Sequence, residues 1–318
     1  MESECKKNKK YPKVVVLMSA YNGEQYITEQ IESILNQTYP NLELYVRDDG
    51  SKDQTAAILK KYEQNGKLHF SQGKNLGFIN SFFEVMRISG EADYYAWCDQ
   101  DDVWLPEKIE RAVKKLQKDK FEHKNGSEQP VLYFSSYDYY NCNMEFEKHG
   151  LIHQRGPSFA NSLLDCISLG FNSVFNQCAR KMMLEHQPEH CCGHDWWTYM
   201  ICAAFGRVIY DKNYVSVKYR RLEKSVSPGG KNFLAMQIWR FKKFFLNDYF
   251  KNIREQLVEF ADIYMMQLKP KDQKVMELFK DGKHSIGKTL KKICYPGWFR
   301  QGVAEEIMVR GLFLLGKL

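Results

Sequence analysis

Apolar positions in the first hundred residues switch repeatedly between two spacings. Lys13–Met18 is a short apolar run of the kind that a sheet buries on both faces. Asn22 and Gly23 interrupt it, and Ile27, Ile31, Ile34 and Leu35 then form one helical stripe at i, i+4, i+7 and i+8. Leu42–Val46 reads as a second strand, ending in Arg47-Asp48-Asp49-Gly50-Ser51. Ser51 and Gln54 have the spacing of a capping box, which predicts a helix through Tyr62. A third strand is expected at Leu68–Ser71. A helix over Asn75–Ile88 carries Ile79, Phe82, Phe83 and Met86 at helical spacing. Tyr94–Cys98 is the fourth strand and runs into Asp99-Gln100-Asp101-Asp102. Pro106 then stands where a helix begins, and Glu107–Lys118 is expected to be helical.

Strand–helix alternation with short connections predicts a mostly parallel α/β sheet flanked by helices. In such sheets ligands bind beyond the carboxyl ends of the strands. The polar clusters Ser19–Asn22, Asp48–Asp49 and Asp99–Asp102 fall at those ends. After Pro130 the pattern loosens. Strands are expected at Val131–Ser135, Asn172–Asn176, Val208–Tyr210 and Tyr214–Tyr219, with a helix over His194–Phe205. Beyond Pro228-Gly229-Gly230 the pattern becomes one of long helices, richest in aromatic and basic residues over Phe233–Met266. The expected division is therefore a domain over 1–229 and a basic helical region over 230–318.

The 318 residues are 44% hydrophobic and 27% charged, enough apolar mass for a folded core and too much for intrinsic disorder. No apolar run approaches the roughly eighteen residues that argue for a membrane-spanning helix. Val14–Met18 is too short for the apolar core of a secretion signal, so the chain is expected in the cytosol. The net charge of +7 is uneven: Lys231–Leu318 holds 17 basic and 9 acidic residues, leaving −1 for the rest. A basic tail suits an anionic membrane, nucleic acid or an acidic partner, but no nucleic-acid motif accompanies it. The nine cysteines lack metal spacing and read as free thiols of a reducing compartment.

Several clusters have the makings of a site. Asp99, Asp101 and Asp102 crowd three carboxylates into four residues, an arrangement that a divalent cation relieves; hard oxygen donors few in number suit Mg²⁺ or Mn²⁺ shared with a phosphate. The alternative is a solvated turn in which Asp102 caps the next helix. Asp48 and Asp49 offer acceptors to a base or ribose, or form a turn and cap. Tyr21, next to Ala20, offers a ring for a nucleobase or for the core. Asp195 opens a helix, as its cap or as a general base. Trp196 and Trp197 offer faces to a sugar. Arg220 and Arg221 end a strand, either as a pyrophosphate clamp or as surface charge. No glycine-rich phosphate loop is present, so phosphate handling falls to metal and basic side chains.

Five stretches in order resemble the family 2 glycosyltransferases of GT-A fold, and more narrowly the bacterial rhamnosyltransferase-like enzymes of surface-polysaccharide synthesis. They are Ser19–Leu44, Arg47–Thr55, Asn75–Phe82, Cys98–Ile109 and Gly193–Trp197, within about residues 12–225. The resemblance implies a GT-A nucleotide-diphospho-sugar transferase fold with a helical C-terminal extension. It implies that Ala20 and Tyr21 line the nucleobase pocket, and that Asp49, supported by Asp48, bonds the base. Asp99-Gln100-Asp101 becomes the family's DxD motif, with Asp99 near ribose and metal and Asp101 on the cation. Asp195 takes the catalytic-base position, followed by the aromatic pair Trp196 and Trp197. Relatives in this branch often carry Tyr-Arg-x-His after the late strand. Here Tyr219-Arg220-Arg221-Leu222 has no histidine.

The implied activity is a metal-dependent inverting transfer of a sugar, rhamnose favoured, from a nucleoside-diphosphate donor to a glycan or lipid-linked oligosaccharide acceptor. The basic tail adds an expected peripheral contact with the inner face of the plasma membrane. Two other readings compete. A sugar-nucleotide nucleotidyltransferase would carry a glycine-rich basic loop after the first strand, where Ser19–Glu24 stands instead. A non-catalytic glycan-binding relative would have no need of Asp99, Asp101 and Asp195.

Overall fold

A computed structural model describes residues 11–123, 128–222, 250–282 and 285–318. The Pro228-Gly229-Gly230 boundary and the aromatic-basic stretch up to residue 249 lie outside the described residues. The first half alternates as its apolar spacing predicts: β1 (Val14–Ala20), α1 (Ile27–Leu35), β2 (Leu42–Asp48), α2 (Thr55–Gln64), β3 (His69–Gln72), α3 (Phe78–Ile88) and β4 (Tyr94–Cys98). A short β5 (Val103–Trp104) and α4 (Lys108–Glu122) follow. Next come β6 (Val131–Tyr140), β7 (Phe146–His149), α5 (Phe159–Leu164), β8 (Ser173–Asn176), α6 (Gln177–Glu185), α7 (His194–Phe205) and β9 (Arg207–Arg220). The last helices are α8 (Lys251–Tyr264), α9 (Pro270–Met276), α10 (Ile286–Ile293) and α11 (Val303–Leu314).

All nine strands join one mixed sheet in the order β3-β2-β1-β4-β8-β6-β9-β5, with β7 on β6. The first four strands are mutually parallel, as expected. β8 then runs antiparallel to both β4 and β6, and the far side regains a parallel pair in β6 and β9. β9 is one strand where two were expected. Its partner β6 pairs Ser135 with Asp211 and Ser136 with Val215, so Lys212–Tyr214 bulge out and break the apolar run without ending the strand.

The expected capping box before α2 does not form. Gln54 stands at the cap with no side-chain bond, and the Ser51 hydroxyl donates to Asp48. Local geometry explains the substitution: Gly50, at φ +82°, turns the chain back so that Ser51 faces Asp48. Asp102 does not cap α4 from a solvated turn either. It is fully buried and accepts the Arg220 backbone N–H at 3.0 Å.

Two apolar layers cover the sheet. α1, α2 and α4 pack one face through Ile27, Ile31, Ile34, Leu59, Ile109, Ala112, Val113 and Leu116. α3, α5, α6 and α7 pack the other, and α8 lies over α7, with the Phe260 ring 5.3 Å from Trp197. The C-terminal helices thus share a core with the sheet, since Phe260, Phe299 and Phe313 belong to the same buried cluster as Val15 and Trp97. No helix among the described residues is long and apolar enough to cross a membrane.

Candidate active site

Sheet register draws the polar strand ends together. Ala20 pairs with Asp48 across β1 and β2, and Met18 with Cys98 across β1 and β4. Beyond those pairs, the side chain of Gln100 brackets the Tyr21 backbone. The Tyr21 N–H donates to Oε1 at 2.9 Å, and Nε2 donates to the Tyr21 carbonyl at 3.0 Å. Tyr21 is 43% exposed, while Ala20 is buried and its carbonyl accepts the Asp49 N–H at 2.7 Å. Gln100 therefore ties the first strand end to the acidic loop.

Asp48 and Asp49 are buried and partnered by protein. Asp48 accepts from the Ser51 N–H and hydroxyl and from Gln72 Nε2 at 3.0 Å. Asp49 pairs with the buried Arg47 guanidinium and accepts the Leu76 N–H at 2.8 Å and the Gly77 N–H at 3.0 Å. Arg47 in turn donates to the Lys74 carbonyl and to Ser81. These bonds pin the loop before α3 against the end of β2.

Asp99, Asp101 and Asp195 line a single cavity of about 890 Å³. Asp195 sits in the first turn of α7, where its Oδ2 accepts the Gly170 N–H at 3.0 Å and its Oδ1 the Trp196 N–H at 2.8 Å. Burial raises the Asp99 carboxyl above its ordinary range, and the charges of Asp101 and Asp195 raise it further. Burial raises Asp101 too, against a lowering by its own backbone N–H and by Arg220. Among the described residues no salt bridge reaches Asp99 or Asp101. No cluster of three or more His, Cys, Asp and Glu side chains there is arranged to hold a metal by itself. Two crowded carboxylates without a salt-bridge partner fit a Mg²⁺ or Mn²⁺ ion, which Asp99 and Asp101 would hold and for which a diphosphate and water would have to supply the other ligands.

The wall opposite is aromatic: Phe171 stacks on Tyr219 at 4.7 Å, with Tyr137 and Tyr139 beside them. Tyr137 and Tyr139 sit two apart on β6, so they share a face, a signal readable from strand period alone. His194 is a second lining residue that the sequence reading passed over. It stacks on Phe82 at 3.8 Å, and both ring nitrogens are buried without a hydrogen-bond partner. Burial lowers its pKa to about 4 and keeps it neutral. Gly170 makes room for it, since a Cβ there would stand 2.8 Å from His194 Nε2. Arg300, Gln301 and Glu305 complete the lining from the far end of the chain, a return that no local spacing announces.

Other expected site residues have different employment. All three guanidinium nitrogens of Arg220 meet protein acceptors: Nε the Asp101 carbonyl at 2.8 Å, Nη1 the Cys142 carbonyl at 2.8 Å, and Nη2 Glu29. Arg220 thus holds the acidic loop from behind. Arg221 pairs with Glu147. Trp196 donates to the Ser162 carbonyl at 2.6 Å. Trp197 is fully buried against α8 and offers no face to a sugar, because the helix that carries it is covered on both sides. Behind the loop, Lys108 and Asp102 are both buried, and Lys108 Nζ and Asp102 Oδ2 lack hydrogen-bond partners. Burial lowers Lys108 to about 7 and raises Asp102, so each is pushed toward neutrality.

Against this geometry, the model of glycosyl transferase family 2 matches residues 15–186. The chain belongs to that family. An uncharacterized glycosyltransferase of Haemophilus influenzae is 46% identical over 111 residues, 34% of this chain and 33% of the relative. The chondroitin synthase of Escherichia coli is 34% identical over 112 residues, 35% of this chain and 16% of that protein. The match thus spans about a third of the first relative and a sixth of the second. S. aureus TarS shares the fold: it superimposes at TM-score 0.56 and 16% identity over 96% of this chain and 49% of its own. A shorter TarS structure, solved in complex with UDP-GlcNAc, gives 0.51 at 16% identity over 85% of this chain and 80% of its own. In this family 2 chain the matched span covers Asp48, Asp49, Asp99 and Asp101 and ends before Asp195.

Proposed function

We propose that the chain is an inverting glycosyltransferase that moves a sugar from a nucleoside-diphosphate donor to a glycan or lipid-linked oligosaccharide acceptor in bacterial surface-polysaccharide synthesis. Rhamnose from a thymidine-diphosphate donor stands first among the sugars, ahead of galactose and other hexoses. One observation carries the reading: Asp195 faces the same cavity as Asp99 and Asp101. A base and a diphosphate-binding pair on one cavity are what a single displacement needs.

In the proposed reaction an acceptor hydroxyl attacks the anomeric carbon as Asp195 takes its proton. The new C–O bond forms on one face while the bond to the diphosphate breaks on the other, which inverts the centre. Asp195 is suited to the task by its fixed carboxylate, oriented by the Gly170 and Trp196 N–H groups. Neutral His194 borders the reacting region without adding charge. A Mg²⁺ or Mn²⁺ ion on Asp101, with Asp99 beside it, would offset charge on the leaving diphosphate. The nucleoside would lie over Ala20 and Tyr21, with Gln100 fixing the Tyr21 backbone and Asp48 and Asp49 shaping the floor. The proposal gives donor and base to residues 1–229, and the acceptor side of the cavity to 230–318 through Arg300, Gln301 and Glu305. Cytosolic placement at the inner face of the membrane belongs to the same proposal.

The test is a panel of nucleotide sugars screened by thermal shift with Mn²⁺ and with EDTA, followed by turnover on the best donor. A donor that stabilises the chain only with the cation, and is consumed only by a chain bearing Asp195, supports the reading. Full velocity in rigorously chelated buffer would refute its metal dependence.

A further inference from the structure

α11 is apolar on both sides. Glu306, Val309, Leu312 and Phe313 face the core. The other side presents Val303, Ile307, Met308 and Leu314, and Leu315 follows; Ile307 is 67% and Leu314 65% exposed. Residues 303, 307 and 314 recur at i, i+4 and i+11, so they form one stripe along the helix. A soluble helix ordinarily gives that stripe to polar residues, and one apolar all round is built to be covered twice. α10, packed beside it, repeats the theme on a smaller scale. Ile286 and Leu290 stand exposed one turn apart, with the exposed Lys291 beside them, while Lys288 pairs with Asp281.

The stripe starts at the mouth of the active-site cavity. Gly302 and Glu305 line that cavity, and Val303 lies between them. Leu151 and Ile152 line it as well, and they are 71% and 48% exposed. Large apolar side chains therefore stand uncovered on two segments of the same rim.

Charge selects the occupant. Residues 285–318 hold six Lys and Arg against Glu305 and Glu306, a balance of +4. Glu306 is buried, where it accepts the Phe299 and Arg300 N–H groups and pairs with Arg310. Arg310 offsets its charge, so the balance of +4 rests on Lys288, Lys291, Lys292, Arg300 and Lys317 against Glu305, with Lys291 the exposed cation on α10. A second copy of the chain would set like charges against each other across this face. An anionic bilayer takes up the apolar stripe and the lysines together.

We propose that α11, with the Leu151–Ile152 rim, docks the chain on an anionic lipid surface and turns the cavity mouth toward the headgroups. This adds a specific surface to the proposed membrane placement and needs no transfer reaction to be read, so either can fail alone. The experiment is co-sedimentation of the full chain with one-to-one phosphatidylglycerol–phosphatidylcholine vesicles and with pure phosphatidylcholine vesicles. The wild type is expected to bind the anionic vesicles and to lose most binding on the neutral ones. Ile307→Glu with Leu314→Glu is expected to weaken binding by about tenfold or more, since two stripe residues become charged. Both side chains are exposed, so the melting temperature should hold, and Ile307→Ser with Leu314→Ser serves as a milder pair. No binding of wild type to anionic vesicles, or equal binding by wild type and both double variants, overturns the proposal. A wild-type dimer in light scattering that the variants dissolve, without vesicle binding, would assign the face to a second copy instead.

Discussion

Two acidic loops stand on either side of β1, one after β2 and one after β4, and the fold treats them oppositely. Asp48 and Asp49 are surrounded by donors: a guanidinium, backbone N–H groups, a hydroxyl and an amide. Asp99 and Asp101 have no salt bridge among the described residues, and burial raises both. The first loop contributes to stability because its buried charges are compensated. The second carries unrelieved repulsion that a bound cation and diphosphate would remove. Only one of two similar-looking Asp-rich turns is left open toward ligand chemistry.

The largest expected effect is on turnover. Asp195→Asn should cut kcat by about 10²–10⁴-fold, the contribution typical of a general base. Donor-induced thermal shift should persist, because the amide keeps an oxygen for the Gly170 N–H. Near wild-type turnover would remove Asp195 from the mechanism. Asp101→Ala should instead lose donor and cation response together, which separates the two ends of the cavity.

Stability comes next, and here the closed loop is the sensitive one. Asp49→Ala leaves Arg47 as a buried charge without its carboxylate and strips two backbone donors. A loss of about 3–5 kcal/mol is expected, measured by urea unfolding. A change below about 1 kcal/mol would show that the contrast between the loops is not energetic.

A smaller effect tests His194. Its pKa is lowered from 6.5 to about 4 by burial, so the unfolded chain binds its proton first as pH falls. Stability from this group is complete above pH 6.5, declines as pH falls toward 4, and is level below; the whole step is worth about 3 kcal/mol. His194→Phe, which keeps the stacking on Phe82, should flatten that part of the pH–stability curve. An unchanged acid limb would show that His194 is hydrated or hydrogen-bonded in solution.

The contrast between the loops also marks where sequence stops being legible. β4 and α7 stand at their expected limits, Tyr94–Cys98 and His194–Phe205, because an unbroken apolar run and a Gly-led helix start are local signals. Gathering Asp99, Asp101 and Asp195 was legible only through the motif order, since a hundred residues separate them. Which carboxylates would be neutralised was not legible at all. Asp48-Asp49 and Asp101-Asp102 read alike, and the partners that distinguish them, Arg47 on one side and the Arg220 backbone on the other, are set by strand register. Trp197 misled for the same reason: beside Asp195 in sequence, it points into α8, whose arrival sixty residues later is a tertiary event. The cavity wall at Arg300–Glu305 returns from still further away.

The smallest predicted effect reverses the usual direction of mutation. Asp99 is raised to about 8, chiefly by burial and then by Asp101 and Asp195, so at neutral pH it must take up a proton on folding, and that uptake costs stability. A carboxyl with a raised folded-state pKa is destabilising above its unfolded value, and the cost fades as pH falls and the group is protonated. Asp99→Asn removes that proton uptake at nearly constant volume. It should therefore raise the melting temperature at pH 7 by on the order of 2 °C, as a gain of about 1 kcal/mol would in a chain of this size. The gain should vanish near pH 4, where the carboxyl of the unfolded chain is protonated as well. Mn²⁺ should stabilise the wild type more than the variant, because the cation relieves the repulsion that the substitution has already removed. The parallel substitution Asp49→Asn should lower the melting temperature, since it weakens a compensated pair. If both substitutions destabilise alike, the loop after β4 is as well compensated as the loop after β2, and the case for a cation there loses its energetic basis.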